Sequence, residues 1–327
     1  MHLTYLQAVV IGLIQGLTEL FPISSLGHVV LVPAWLGGSW ATLVREESSP
    51  ESPYLAFVVG LHLATAAVLV VYYRREWVRL IGGFFTSIAR RRIESADQRL
   101  AWLIVIATIP VGIVGLLLEH PFRVLFAKPV AAAIFLTING GILFLGERYW
   151  RRERSSAVPV GPVERNSAVP VGPGSGEGPG AAAAAATADD DGIDLAARRR
   201  LAGIPFTSAL WIGASQVLAL FAGISREGVT MVGGLTRGLN HEDAMRFSFL
   251  LSTPVILAAG LLTLPDLAGP LGNGIRGPVV AGSVAAAATS VLAVVFLARY
   301  FRTRTLTPFA IYCLAAGLIS LIRFTVW

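Results

Sequence analysis

Residues 12–28 read GLIQGLTELFPISSLGH, an apolar stretch that nevertheless carries a carboxylate, an imidazole and several hydroxyl groups. The carboxylate belongs to Glu19, and placing one in hydrocarbon costs roughly 2.5–3.5 kcal/mol on insertion scales. A residue kept at that cost usually faces a cavity lined by protein and has a function there. We therefore expect this stretch to line a polar site within a membrane.

A second stretch, residues 213–230 (GASQVLALFAGISREGVT), resembles the first when it is shifted back by 201 positions, so that Gln216 falls on Gln15. The second copy has Arg226 where the first has Ser25. One copy thus offers an acid, hydroxyls and an imidazole, and the other offers a guanidinium. We predict that the two copies meet at one polar site inside the membrane. A chance match between segments rich in alanine, glycine and leucine is the alternative.

The composition is that of a polytopic membrane protein. Hydrophobic residues make up 54% of the 327 residues, charged residues only 14%, and the mean hydropathy is +0.68. The net charge of +6 does not indicate nucleic-acid binding, because the basic residues sit in short loops between apolar runs. The only cysteine, Cys313, lies in an apolar run, which excludes a disulfide framework and a cysteine metal site.

Apolar runs long enough to cross about 30 Å of hydrocarbon lie at roughly 54–73, 101–118, 129–146, 247–264, 279–298 and 306–324. Regions 4–36 and 204–238 are also apolar, but they are broken at Phe21-Pro22 and at Ala222-Gly223 into halves too short to span. Broken helices in corresponding halves indicate a binding site in inverted-repeat membrane proteins. We therefore predict an all-α integral membrane protein with six transmembrane helices and two re-entrant helix pairs in an inverted repeat.

The arginines orient these elements. Loops 74–100, 147–203 and 299–305 hold 18 of the 26 basic residues, and the positive-inside rule places them in the cytoplasm. Both termini are then external, and the first re-entrant pair enters from outside while the second enters from the cytoplasm. The halves are 1–150 and 201–327. Between them, residues 151–200 repeat SAVPVGP and are rich in proline, glycine and alanine, which predicts a disordered cytoplasmic linker.

In the first copy, Gln15 and Glu19 are four residues apart and share one helix face. Their side-chain oxygens could hold a hard divalent cation, Mg²⁺ or Ca²⁺, together with substrate phosphate oxygens. A buried hydrogen bond between the two side chains is the alternative. His28 follows the break and is a candidate for acid–base chemistry or for a structural role. Ser24 and Ser25 are candidates for a nucleophile, for phosphate donors or for helix caps.

In the second copy, residues 223–228 read GISREG and favour an anion site. The glycines allow close backbone approach, the N-terminus of the following helix presents free N–H groups, and Arg226 can grip a phosphate with two hydrogen bonds. Thr230 lies one turn further and could add a hydroxyl. The alternative is that Arg226 only neutralises Glu19 or Glu227 in a structural ion pair.

These motifs resemble those of the undecaprenyl-diphosphatase (bacitracin-resistance) family of bacterial membrane proteins. Residues 15–19 and 22–28 are similar to the family's E/Q-x-x-x-E and P-x-S-S-x-G-H, and residues 222–230 to its P-G-x-S-R-S-G-x-T. FSFLLSTP at 247–254 is similar to a further family motif. The resemblance implies hydrolysis of undecaprenyl diphosphate to the monophosphate, which recycles the carrier for cell-wall synthesis and confers bacitracin resistance. It also implies a site that opens to the outer face of the bacterial plasma membrane.

The resemblance further implies roles for single residues. Glu19 would be a metal ligand or an acid–base group, and Arg226 would bind the diphosphate. His28 would be the general acid–base group and Ser25 the candidate nucleophile. The substrate-binding set would be Ser24, Gly223, Ser225, Arg226 and Thr230.

Three positions depart from the family pattern: Gln15 stands where glutamate is common, Ala222 replaces a proline, and Glu227 replaces a second serine. A phosphatase would attack the terminal phosphorus either with Ser25, activated by His28, or with water. The rival function is a polyprenyl-phosphate flippase or an ion-coupled lipid transporter without hydrolysis. A purely structural protein leaves the buried polar groups unexplained. The expected partners are the membrane and a polyprenyl diphosphate lipid, with no nucleic acid, and a homodimer is left open.

Overall fold

The computed structural model describes residues 3–47, 53–126, 128–156, 195–269 and 272–326, and within them the chain is helical with no strand. The helices are α1 (Tyr5–Leu20), α2 (Ser25–Leu36), α3 (Gly38–Glu47), α4 (Pro53–Tyr72), α5 (Arg74–Arg90), α6 (Ala96–Phe126), α7 (Pro129–Ser156), α8 (Leu195–Ala202), α9 (Phe206–Ser215) with a 3₁₀ continuation (Gln216–Leu220), α10 (Arg226–Leu235), α11 (His241–Ala268), α12 (Arg276–Tyr300) and α13 (Thr307–Val326).

The all-α membrane fold is confirmed. Five helices, α6, α7, α11, α12 and α13, are each long and apolar enough to cross a membrane. Two further helix pairs meet that condition only together and are bent, α4 with α5 by 84° and α8 with α9 and its continuation by 91°. The described residues therefore contain between five and seven candidate spans. The predicted number of six spans lies within this range, but the range does not determine the exact number.

Two predicted boundaries were wrong. Residues 74–90 were assigned to an arginine-rich loop, but they form α5, because apolar side chains recur there at helical spacing beneath the arginines. The linker predicted at 151–200 is shorter at both ends, since α7 continues to Ser156 and α8 begins at Leu195. Its remaining part, with the prediction of disorder, lies outside the described residues.

Both apolar regions are interrupted where the sequence breaks. α1 ends at Leu20 and α2 begins at Ser25, after a residue with positive φ, Ser24 (68°). Ser24 caps α2 by accepting a hydrogen bond from the N–H of Gly27 at 3.2 Å. Ser225, 201 positions later, caps α10 in the same way, from the N–H of Gly228 at 3.1 Å. The two breaks thus share one capping pattern at equivalent positions.

Equivalent helices of the two halves each pack against a helix of the opposite half, so the halves exchange partners. α1 packs along α12, and its counterpart α9 packs along α6. Gly12 and its equivalent Gly213 permit these contacts, because a Cβ there would collide with the backbone of Gly282 or of Ala107. α4 packs on α11 and α7 on α13. This exchange is what a two-fold relation between halves produces, and it supports the predicted division into 1–150 and 201–327, which stays a prediction.

Candidate functional site

The two breaks contact each other directly. The N–H of Gly223 donates to the hydroxyl oxygen of Ser24 at 3.2 Å, and the hydroxyl of Ser225 donates to the carbonyl of Phe21 at 3.3 Å. A Cβ added to Gly27 would lie 3.0 Å from the Cα of Gly223. Gly223 itself has a φ of 113°, a conformation that glycine adopts readily and other residues do not. The two stretches singled out in the sequence are therefore neighbours in space.

Asn139, on α7, forms hydrogen bonds to both breaks. Its side chain is fully buried, its Oδ1 accepts from the N–H of Ser225 at 3.0 Å, and its Nδ2 donates to the carbonyl of Pro22 at 3.0 Å. Each half of the amide thus satisfies a backbone group at membrane depth, and the carbonyl of Pro22 has besides it only a 3.9 Å contact with the thiol of Cys313. Asn139 was not predicted from the sequence. Its signal was an amide inside the apolar run 129–146.

Glu19 lies in the last turn of α1, with 7% of its surface exposed. Its Oε2 lies 3.0 Å from Nε2 of His62, and it also accepts the hydroxyl proton of Ser25. This contact does not favour the expected activation of Ser25 by His28, which stays a prediction, because the Ser25 hydroxyl faces Glu19. In this geometry Glu19 is the group placed to take the proton of Ser25.

His62, on α4, is the imidazole of this cluster. Its Nδ1 lies 2.7 Å from the carbonyl oxygen of Val58, and its Nε2 faces Glu19. Both ring nitrogens thus face hydrogen-bond acceptors, an arrangement that suits the cationic ring with two N–H groups. His62 was not predicted from the sequence, although an ionisable side chain inside the predicted span 54–73 was the available signal.

His28 is held by other partners. Its Nδ1 lies 2.7 Å from the carbonyl oxygen of Ser24, and its Nε2 lies 2.7 Å from the hydroxyl of Tyr312, whose ring stacks on it. The carbonyl can only accept, so Nδ1 carries the proton and Nε2 accepts from Tyr312. Nδ1 is therefore used within the first turn of α2, and Nε2 joins α2 to α13. An acid–base role for His28 stays a prediction that these contacts do not favour.

Arg226, the first residue of α10, lies beside the cluster. Its charge acts on Glu19, His62 and Glu227, which brings the guanidinium of the second copy to the carboxylate of the first. Its Nε and Nη1 are buried without a hydrogen-bond partner among the residues described. The alternative of a structural ion pair with Glu19 or Glu227 is therefore not what the described side chains show. Buried, unpaired N–H groups on a cation at a helix N-terminus are suited to binding an anion.

Glu227 is buried against α11. It accepts a hydrogen bond from the hydroxyl of Ser248, which also contacts the hydroxyl of Thr230. The hydroxyl of Thr230 also lies 2.8 Å from the carbonyl oxygen of Arg226. Glu227 and Thr230 thus belong to a polar network between α10 and α11. Because Ser248 gives its one proton to Glu227, the single proton of Thr230 serves either Ser248 or the backbone of α10.

The predicted substrate-binding residues are brought together, but most of them also build the breaks. Ser24 and Ser225 each cap a helix and bridge to the opposite break, and Gly223 donates its N–H across the contact. These residues surround the place where Arg226 begins its helix. Their role in binding substrate stays a prediction, and the groups that the structure leaves without a partner are those of the guanidinium.

Gln15 is fully buried, and its Oε1 lies 3.2 Å from the hydroxyl of Thr65. The alternative hydrogen bond to Glu19 is therefore not formed. Glu19 has one oxygen already occupied by His62 and Ser25. Across the described ranges, no group of three or more His, Cys, Asp or Glu side chains could hold a metal ion. These donors fit a divalent cation only where the phosphate oxygens of a substrate supply most of the ligands.

Comparisons with known proteins show the family of this chain. Residues 8–319 match the family model described as bacitracin resistance protein BacA. The chain is 56% identical to undecaprenyl-diphosphatase 2 of Frankia alni over 100% of both chains. It is 54% identical to the undecaprenyl-diphosphatase of Mycolicibacterium paratuberculosis, covering 98% of this chain and 97% of that one. It is also 37% identical to undecaprenyl-diphosphatase 2 of Chromobacterium violaceum, covering 97% and 98%. The chain belongs to the bacitracin resistance protein family BacA.

Proposed function

We propose that this membrane protein hydrolyses undecaprenyl diphosphate to undecaprenyl phosphate and inorganic phosphate, with Arg226 as the anion-binding group. The family and the names of the full-length relatives support this activity, and with it the recycling of the lipid carrier and resistance to bacitracin. The observation that carries the proposal in the structure is the pair of buried, unpaired N–H groups of Arg226 beside Glu19 and His62. A diphosphate would supply the missing acceptors.

Charge neutralisation accounts for most of the catalysis in this proposal. In phosphoryl transfer, positioning and electrostatic stabilisation do most of the work. Arg226 and His62 would stabilise the negative charge on the phosphoryl oxygens, and the dry surroundings strengthen their effect. Glu19 fixes the orientation of His62 through the 3.0 Å contact.

We propose Ser25 as the nucleophile, because its hydroxyl already donates to Glu19. Glu19 takes the proton as the Ser25 oxygen bonds to the terminal phosphorus. The bond from that phosphorus to the bridging oxygen breaks, and undecaprenyl phosphate leaves. Water then attacks the phosphoserine, releases inorganic phosphate and restores Ser25. In the competing route, Ser25 and Glu19 orient a water molecule that attacks directly.

A divalent cation, Mg²⁺ or Ca²⁺, is part of the proposal. When bound, it supplies further neutralisation of the diphosphate oxygens. Glu19 and the amide of Gln15 are the groups of this chain that would contact it. Chelation should therefore weaken substrate binding as well as turnover.

The proposed orientation has both termini outside and the site open to the outer face of the bacterial plasma membrane. The distribution of arginine supports this orientation. Arg74 follows the end of α4, Arg90 lies in the last turn of α5 and Arg299 lies in the last turn of α12, and the positive-inside rule assigns all three to the cytoplasm. A homodimer stays a prediction.

The test is release of inorganic phosphate from undecaprenyl diphosphate by the purified protein. Arg226→Ala and Glu19→Ala should each abolish it, whereas Arg237→Ala, at an exposed arginine of the same half, should not. Unchanged rates in the first two variants would remove the mechanism. Transfer of the lipid between leaflets of proteoliposomes without phosphate release would favour the transporter instead.

A further inference from the structure

The helix α5 carries an apolar face that is open to its surroundings. Val78 is 73% exposed, Phe85 is 64% exposed and Ile81 is 53% exposed. With Ile88, these residues recur three and four positions apart, so they form one stripe along the helix. A stripe of this kind is unfavourable in water, and a lipid phase would remove it from water.

The orientation of α5 is set by its connections to other helices. It turns by 84° from the end of α4, so it lies nearly in the plane of the bilayer that α4 enters. In its first turn Glu76 forms an ion pair with Arg246 of α11. In its last turn the hydroxyl of Ser87 accepts a hydrogen bond from the indole of Trp102, on α6, at 2.9 Å. These contacts hold both ends of α5 against the transmembrane helices.

Positive charge flanks the stripe at both ends of the helix. The exposed arginines are Arg74, Arg75, Arg90, Arg91 and Arg92. Two acids lie close to these arginines: Glu76 forms its ion pair with Arg246 of α11, and Glu94, which is itself exposed, lies 3.7 Å from Arg90. The helix therefore presents a basic rim around an apolar face.

We propose that α5 is an in-plane membrane anchor that binds anionic phospholipids, with their head groups on the flanking arginines and their acyl chains against the stripe. In-plane helices with a basic polar face and an aromatic or aliphatic face bind anionic bilayers in this way. Each basic residue near such a surface is attracted to it electrostatically.

A groove beside the stripe fits an acyl chain. It has a volume of about 580 Å³ and lies between α5 and α6, with Pro254 of α11 at one side. Its lining is apolar and includes Trp77, Phe84 and Ile109. The lining also includes Ile113 and Leu116 of α6, which are exposed, so the groove opens onto the outer surface of a predicted span. This continuity, together with the arginines, favours lipid over a protein partner.

The experiment places a fluorescent label on the stripe of the full-length protein. Val78→Cys is labelled in a Cys313→Ala background, and the protein is reconstituted with brominated phosphatidylglycerol or brominated phosphatidylcholine. Quenching measures the binding of each lipid relative to the other. We expect about fivefold preference for the anionic lipid at low salt, falling towards one as salt screens the arginines.

A matched pair of variants tests the arginines. Arg75, Arg90 and Arg92 are changed together to glutamine, and the preference should fall below about twofold. The control changes three exposed arginines elsewhere, Arg148→Gln, Arg154→Gln and Arg304→Gln, and should keep the preference. Should the first triple variant not fold, Arg75→Gln and Arg90→Gln alone should each lower the preference in part.

Three results would overturn the proposal. Absence of quenching by either lipid would mean that α5 does not insert. Equal quenching by both lipids at low salt would mean that the arginines recognise no head group. An equal loss in the control triple variant would mean that total charge matters and α5 does not.

Discussion

The two histidines give the sharpest test of the site, because the sequence favoured one and the structure favours the other. We expect His62→Gln to lower kcat for phosphate release strongly, and His28→Gln to lower it little. The reason lies in their contacts. His62 lies 3.0 Å from Glu19, whereas His28 uses its nitrogens on Ser24 and Tyr312.

The size of the His62 effect follows from burial. The side chain of Glu19 is almost inaccessible, and breaking a buried ion pair by removing one partner costs about 3–5 kcal/mol. Glutamine keeps a donor and so recovers part of that cost. If about 3 kcal/mol of it appears in the transition state, kcat falls by about 10²-fold, since each 1.36 kcal/mol is tenfold.

His28→Gln should act on stability instead. It removes a hydrogen bond to Ser24 and one from Tyr312, each worth about 0.5–1.5 kcal/mol net. The midpoint of thermal unfolding in detergent should therefore fall by several degrees while kcat stays within about threefold of the unchanged protein.

The assay measures kcat and KM for phosphate release, with a thermal unfolding curve for each variant. Folded His62→Gln with normal kcat, or folded His28→Gln with kcat reduced about 10²-fold, would refute the assignment of the imidazole.

Three further predictions concern single contacts. Arg226→Lys should reduce kcat/KM by at least about tenfold, because lysine lacks the two-pronged donor geometry, while Arg237→Lys should leave it unchanged when both are assayed for phosphate release. Asn139→Leu should lower the free energy of unfolding by at least about 1–3 kcal/mol, because the buried N–H of Ser225 loses its partner and the carbonyl of Pro22 keeps only its weak contact with Cys313; denaturant titration measures it. Gly223→Ala should destabilise the fold in the same titration, because its Cβ would lie 2.5 Å from the carbonyl of Ala132 at a φ of 113°; Gly141→Ala, with open space around its Cβ, is the control and should not.

The spans and the breaks could be predicted from sequence because both are local properties. A run of apolar residues long enough for a bilayer has few alternatives to a membrane helix. The breaks at Phe21-Pro22 and Ala222-Gly223 contain the residues that interrupt helices. α5 was missed for a specific reason. Its arginines indicated a polar loop, although Val78, Ile81 and Phe85 within the same segment are spaced as on one face of a helix.

The identity of the site's imidazole could not be obtained from sequence. A histidine in a break, such as His28, has the same local signal whether it faces a cavity or a neighbouring helix. His62 stands in the middle of an apolar run, and nothing near it in sequence shows that α4 turns this face towards Glu19. Only the packing of α1 against α4 decides the matter, and that packing depends on contacts between residues far apart in sequence.

The internal repeat explains why the meeting of the two copies could be predicted from the sequence, whereas the contacts of the individual side chains could not. Residues that match between the copies build the junction: Ser24 and Ser225 cap helices and cross to the opposite break. In the proposed mechanism the residues that differ supply the chemistry, since Ser25 in one copy corresponds to Arg226 in the other. A symmetric junction brings two unlike side chains to one place, as phosphoryl transfer requires of a nucleophile and an anion-binding group. The mismatched position is therefore the informative one, and it is found only after the matching positions have fixed the alignment.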